Sequence, residues 1–210
     1  MMLNPKPNEK DTKNYYINIE RYDWITDTKY PEKLFHNLRE RTIAKWIKKY
    51  IRKSIILDAG CGTGLITRKI ESDQIVALDI NPWAIRKAKS HTINRVSYIE
   101  GDVENLPFAS SSFDAVICTD NLEHLVNPDK ALEEFFRVMK GGALLIGEVP
   151  NKNLIWRFRK HITTTCPTSE PFHNNYSKEE LKQLLCKFNI IKIQRVLFDL
   201  ELLFVAEKTP

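Results

Sequence analysis

The sequence predicts an α/β domain with a mostly parallel sheet and helices on both of its faces. Apolar runs alternate with helical segments along most of the chain, the first run ends in a glycine-rich turn, and the last two runs are joined by a link too short for a parallel crossover. Residues 1–14 hold Pro, Asn and Lys without periodicity and read as a mobile tail without a role. From Pro31 onward, Leu34, Phe35, Leu38, Thr42, Ile43, Trp46, Ile47 and Tyr50 recur at helical spacing, an amphipathic helix with a basic outer face that covers one side of the sheet. Ile55 to Ala59 is a β-rich run, followed by the glycine turn, a helix from Leu65 to Glu71, a strand from Ile75 to Ile80 and a helix opened by Pro82. Strands follow at Val96 to Glu100 and Phe113 to Thr119. A helix from Pro128 to Met139 stops at Gly141-Gly142, and a strand runs from Ala143 to Val149. Ser177 and Glu180 have the spacing of a capping box at the next helix start. Residues 189–197 and 201–206, linked by Phe198-Asp199-Leu200, form an antiparallel pair that closes the sheet edge.

Length and composition bound the function. Against a prior of roughly 150 residues per domain, 210 residues make one domain with embellishments, an extension over 1–32 and a domain over 33–210. With 42% hydrophobic and 28% charged residues the chain buries a real core, which excludes a disordered protein. The polar start MMLNPKPNEKDTK and the lack of any apolar run of about 18 residues predict neither a signal peptide nor a membrane span. Cys61, Cys118, Cys166 and Cys186 show no C-x-x-C pair and read as reduced thiols of a cytoplasmic protein. The net charge of +5 is concentrated in residues 33–53 and 152–161. The first stripe reads as a solvated helix face. The second, with Trp156-Arg157-Phe158-Arg159-Lys160 and His161, lies in a long connection that reads as a substrate lid over 150–176, suited to an acidic small molecule or to RNA.

Chemistry concentrates in Ile56-Leu57-Asp58-Ala59-Gly60-Cys61-Gly62-Thr63-Gly64, a strand running into glycines where a ligand must approach the backbone. A dinucleotide fingerprint would need glycine at position 65, which is Leu65, and a phosphate loop would need Gly-Lys-Ser/Thr, so NAD and ATP are disfavoured by spacing.

Taken in order, these residues resemble the class I S-adenosylmethionine-dependent methyltransferases, whose first motif is an acidic residue followed by G-x-G-x-G. Asp58, Gly60, Cys61, Gly62 and Gly64 match it. The second motif, an acid ending strand two, falls on Asp79, 19 positions after Gly60 and suited to accept hydrogen bonds from ribose hydroxyls, with Ile80 against the adenine. Gly101 to Phe108 look like the third, placing Asp102 and the Val103 backbone at the adenine amino group, and Phe113 to Ile117 look like the fourth, with Thr119 at the strand's end beside the cofactor. Tyr22 resembles the tyrosine that many members fold over the cofactor; an exposed aromatic before a helix is the other reading. The resemblance covers roughly residues 50–150 and implies a Rossmann-like seven-stranded sheet with an antiparallel C-terminal strand, S-adenosyl-L-methionine as cofactor, and methyl transfer. A non-catalytic cofactor-binding partner subunit would keep the same first motif.

Strand four runs into Asp120-Asn121-Leu122-Glu123-His124. A helical turn beginning there would bring Asp120, Glu123 and His124 onto one face. The spacing is similar to the E-x-x-E-H of ubiquinone-biosynthesis O-methyltransferases and small-RNA 3′-terminal 2′-O-methyltransferases, with Asp120 in place of a glutamate. That resemblance implies a divalent metal, Mg²⁺ or Mn²⁺, on Asp120, Glu123, His124 and His173, and metal-assisted 2′-O-methylation of RNA. The other reading makes His124 a general base for a hydroxyl or amine, with Asp120 and Glu123 beside it. His36 and His91 read as solvated.

Overall fold

Ile55–Ala59 forms strand β1, and every side chain after Ile55 is buried, because strands pair on both of its edges and helices cover both of its faces. The computed structural model describes residues 8–20, 32–51, 54–91, 94–155 and 173–209. Ahead of β1 lie α1 (Glu9–Asn18) and α2 (Glu32–Tyr50); after it come β2 (Gln74–Asp79), α3 (Pro82–Lys89), β3 (Val96–Glu100), β4 (Phe113–Thr119), α4 (Pro128–Val138), β5 (Met139–Pro150), α5 (Lys178–Leu184), β6 (Asn189–Val196) and β7 (Glu201–Glu207). The seven strands lie in the order β3-β2-β1-β4-β5-β7-β6. β1 to β5 pair in parallel, and β7 runs antiparallel between β5 and β6. The expected fold class is borne out, with β7 as the antiparallel strand. The chain leaves β1 toward β2 and β3 and returns to the other side at β4, so a crevice opens at the carboxyl ends of β1 and β4.

Alternation along each strand divides the core in two. Leu57, Leu78, Val116, Leu145 and Phe204 face α4 and α5, packing on Phe135 and Leu181. Their sequence neighbours Ile56, Ala77, Ile117, Ile146 and Leu203 face α2 and α3, packing on Ile43, Ile47, Ile85 and Ala88. Ser177 and Glu180 do form the capping box, each side chain bonded to the other's backbone N–H.

Four local expectations are corrected. Residues 65–71 form only a three-residue 3₁₀ turn, Thr67–Lys69, because Thr67 is pulled down by a 2.6 Å bond from its hydroxyl to Asp58 Oδ2 and Ile70 turns extended into the core. The strand after α4 starts at Met139 rather than Ala143: Met139 pairs with Phe113 and Leu144 with Ala115, so the Gly141-Gly142 stretch is accommodated as an irregularity within β5. The first half of α2 turns Phe35, His36, Arg39 and Glu40 toward the crevice and leaves Leu34 and Leu38 exposed. The supposed tail contains α1, whose Asn8 caps its first turn and whose Tyr16 is buried.

Arg39 is not part of a solvated stripe. It is 5% exposed and clamps Glu148 of β5 with two 2.7 Å bonds, Nε to Oε1 and Nη2 to Oε2. The same Nη2 lies 2.5 Å from Asp120, just past β4. A lone guanidinium thus ties α2 to two neighbouring strands. Arg39→Met should destabilise the protein by about 3–5 kcal/mol, since it strands the buried Glu148 carboxyl without a counter-charge; thermal unfolding checks this, and a change below about 1 kcal/mol contradicts the bracing role.

Candidate active site

The crevice holds a cavity of about 250 Å³. The loop after β1 forms its floor. Gly60 has φ +79°, and a Cβ there would meet the Asn121 side chain at 2.1 Å, so the loop approaches the β4 turn as only glycine permits. Gly62 also has positive φ, but nothing lies within 4 Å of where its Cβ would be. Asp79 holds this loop: its Oδ2 accepts the Gly62 N–H at 2.7 Å and its Oδ1 the Asn81 N–H at 2.9 Å. Burial pushes the Asp79 carboxyl up despite those bonds. Asp58 is also buried, and its pKa rises to about 6, chiefly through desolvation, with the Thr67 hydroxyl working against the rise and Asp79 adding to it.

Asp58, Gly60, Cys61, Gly62, Asp79 and Ile80 line one end of the cavity, and Asp102, Val103 and Thr119 also line it. Gly64 stands outside the lining, packed on the Tyr98 hydroxyl. Tyr22 and the basic segment 156–161 fall outside the described residues, as do Cys166 and most of the lid. Carboxyls dominate the described lining, so the expectation of an acidic acceptor has no support there.

The helix that sequence reading overlooked closes over this cavity. Lys13 of α1 reaches Asp102 at 2.7 Å and pairs with Glu104, and these acids outweigh the cost of its partial burial to lift its pKa. Tyr16 shares a 2.9 Å hydrogen bond, through its hydroxyl, with His124 Nδ1. Asn81 secures the helix: its side chain caps α3 at the Ala84 N–H and donates to the carbonyls of Tyr16 and Ile19. A sequence signal for α1 existed in Asn8 followed by Glu9 and Asp11, an N-cap with acids in the first turn.

In the turn after β4 and beyond, Asp120, Glu123, His124 and His173 all line the cavity but do not assemble as metal ligands. Asp120 adopts a left-handed backbone, φ +49°, and a 3₁₀ turn over Leu122–His124 replaces the expected helical turn. Asp120 is thereby spent on Arg39, while His124 faces Tyr16 and packs edge-on against His173, ring centroids 5.2 Å apart. Among the described residues no group of three or more His, Cys, Asp or Glu is placed to hold a metal ion. This arrangement gives no support to Mg²⁺ or Mn²⁺ on these four residues.

An acid cluster surrounds Arg39 instead, with Glu123, Glu148 and Glu201 buried and Asp120 at its exposed rim. Burial would raise Asp120, but Arg39, then His124 and His36, bring it below the ordinary range. Burial pushes Glu123 well up, aided by Asp120 and Glu148; burial and Glu148 do the same to Glu201 at the start of β7. His36 is not simply solvated: it lines the cavity beside Phe35 and acts on Asp120. Cys61, Cys118 and Cys186 are free thiols, and burial holds the first two well above the ordinary thiol range. No helix among the described residues is long and apolar enough to cross a membrane.

Comparison with known proteins agrees with this geometry. Residues 57–147 match the family described as a methyltransferase domain. A 2-methyl-6-phytyl-1,4-hydroquinone methyltransferase of Oryza sativa is 28% identical over 145 residues, covering 66% of this chain and 42% of that protein. A demethylmenaquinone methyltransferase of Paenarthrobacter aurescens is 37% identical over 106 residues, covering 49% of this chain and 42% of that protein. The chain thus spans about two fifths of these curated relatives. Magnesium protoporphyrin IX methyltransferase from Synechocystis, solved with bound SAH, shares the fold with a TM-score of 0.74 at 16% identity, over 96% of this chain and 100% of that one. A Pyrococcus horikoshii protein aligns with a TM-score of 0.71 at 24% identity, over 93% and 99%. With the motif loop at the switch point of a sheet of this order, residues 57–147 resemble a methyltransferase domain, and the chain shares the fold of a solved methyltransferase.

Proposed function

We propose that this protein transfers a methyl group from S-adenosylmethionine to a hydroxyl or amine of a small molecule, and the observation that carries the reading is the Gly60–Gly64 loop held by Asp79 over a cavity at the sheet's switch point. S-adenosylmethionine supplies an electrophilic methyl group on a sulfonium sulfur. Asp79 would accept the ribose hydroxyls while keeping its two backbone bonds, which a carboxylate's remaining lone pairs permit. Asp102 and the Val103 backbone would meet the adenine, with Ile80 against its face. Cys61, Gly62 and Thr119 would line the donor's path, and Asp58 its amino-acid end. Lys13 holds Asp102 in the described state and must yield or share it when adenine binds.

His124 would remove the acceptor proton. Its Nδ1 is engaged by Tyr16; in the tautomer where Tyr16 accepts from Nδ1–H, Nε2 is the basic nitrogen. The relatives' printed quinol and quinone names place aromatic hydroxyl compounds among the acceptors to try. Holding donor and acceptor in line without water is the larger part of the catalysis asked of such a site. The metal-assisted RNA reading loses its ligand set and is not carried further.

Asp79→Ala should weaken S-adenosylhomocysteine binding at least about tenfold, the loss of one charge-assisted bond or more. Calorimetric titration checks it, and unchanged affinity refutes the ribose role. His124→Ala should leave that affinity intact and lower turnover on a true acceptor by about 10²–10⁴; preserved turnover removes the base. Asp58 gives a pH signature. Its folded pKa of about 6 lies above the ordinary 3.8, so the folded state holds the proton more tightly and stability falls as pH rises through that window. Asp58→Asn should abolish this contribution, about 2 kcal/mol between pH 4 and pH 7, in denaturant titrations at each pH.

A further inference from the structure

The acid cluster around Arg39 is larger than the proposed chemistry requires. Arg39 is bonded to Glu148 and Asp120, so its charge is already committed. Two more carboxyls act on the same three groups, Glu123 from the turn after β4 and Glu201 from the start of β7. Glu123 is 1% exposed and Glu201 3%, and both line the cavity. Each keeps one oxygen, Oε2, with no hydrogen-bond partner, although Glu201 shares a bond with Glu148. A buried carboxyl oxygen without a partner costs stability, and natural sites keep such groups where a ligand satisfies them.

We propose that this end of the cavity is a binding site for an organic ammonium group of the methyl acceptor, received by the unpartnered oxygens of Glu123 and Glu201. An anionic ligand would meet four carboxyls and a guanidinium with no charge to spare. A neutral hydroxyl could bond one oxygen and leave the other stranded. An ammonium has three N–H donors and no acceptor, the complement of buried carboxyl oxygens that lack a donor. Its charge also offsets the surplus of carboxyls over Arg39, and His36, His124 and His173, which face the same space, add no fixed anion. The donor's own ammonium belongs with its amino-acid end, at Asp58. The inference rests on the methyl-transfer reading only in taking this ligand for the acceptor.

Ligand-observed NMR on the full chain tests it with three molecules of one shape and different charge: 2-phenylethylamine, 2-phenylethanol and phenylacetate, in the presence of saturating S-adenosylhomocysteine. The amine should bind at least about tenfold tighter than the alcohol, and phenylacetate weakest, as one added charge-assisted bond implies. Glu201→Gln, which keeps the shape, should lower amine affinity about tenfold and leave the alcohol's unchanged. Equal affinities, a preference for phenylacetate, an undiminished amine preference in Glu201→Gln, or displacement of the amine by Mg²⁺ alone would each overturn the proposal. The wild-type rank order decides even if the variant does not fold. Repeating the titration without S-adenosylhomocysteine separates the two readings: an amine preference in a protein that never binds the nucleoside keeps the ammonium site and removes the donor site.

Discussion

One guanidinium sits where helix α2, strand β5 and the turn after β4 meet, and the architecture of the cavity follows from its charge. Arg39 cannot be buried alone, so Glu148 is drawn into the core beside it and Asp120 is turned through an unfavourable left-handed backbone to reach it. Once Asp120 is fixed there, Glu123 and Glu201 are left among acids with insufficient positive charge, and burial raises the pKa of both. This side of the cavity thereby gathers carboxyls and imidazoles around one guanidinium. The glycine-loop side is organised by backbone instead: Asp79 pins the loop through the Gly62 N–H, and the Gly60 and Cys61 N–H groups bond to the Leu78 carbonyl.

Much of this was legible beforehand. Strand runs such as Ile55–Ala59 are apolar without alternation because both faces are covered, and the short Phe198–Leu200 link forces an antiparallel pair. Gly60, Gly62, Asp79 and Asp102 reach one cavity because their places at strand ends are set by topology. What escaped was set by tertiary contacts. Asp120, Glu123 and His124 have helical spacing, but a pull from a residue 81 positions earlier in the sequence unwinds the turn that spacing implies. Arg39 looks like one more lysine-rich surface residue, yet it lies four residues before Ile43 and eight before Ile47, on the buried stripe of its helix.

The N-terminal helix shows a similar limit. Its composition is that of a tail, and little of it is buried; it is ordered by Asn81, which has no sequence feature to announce that it will hold a distant helix as well as cap its own. A polar segment can be fixed by a few directed bonds when its partner is rigid, and periodicity does not register such bonds.

The placement of β7 between β5 and β6 has a consequence for how the protein is made. β6 leaves the ribosome first but is hydrogen-bonded on one side, to β7, so it has no place to dock until residues 201–207 follow it. Until then β5 remains an open, apolar edge, a surface on which nascent chains pair with one another. Glu201 arrives with that same strand, so the closing of the sheet and the completion of the charge cluster are a single late event in biosynthesis.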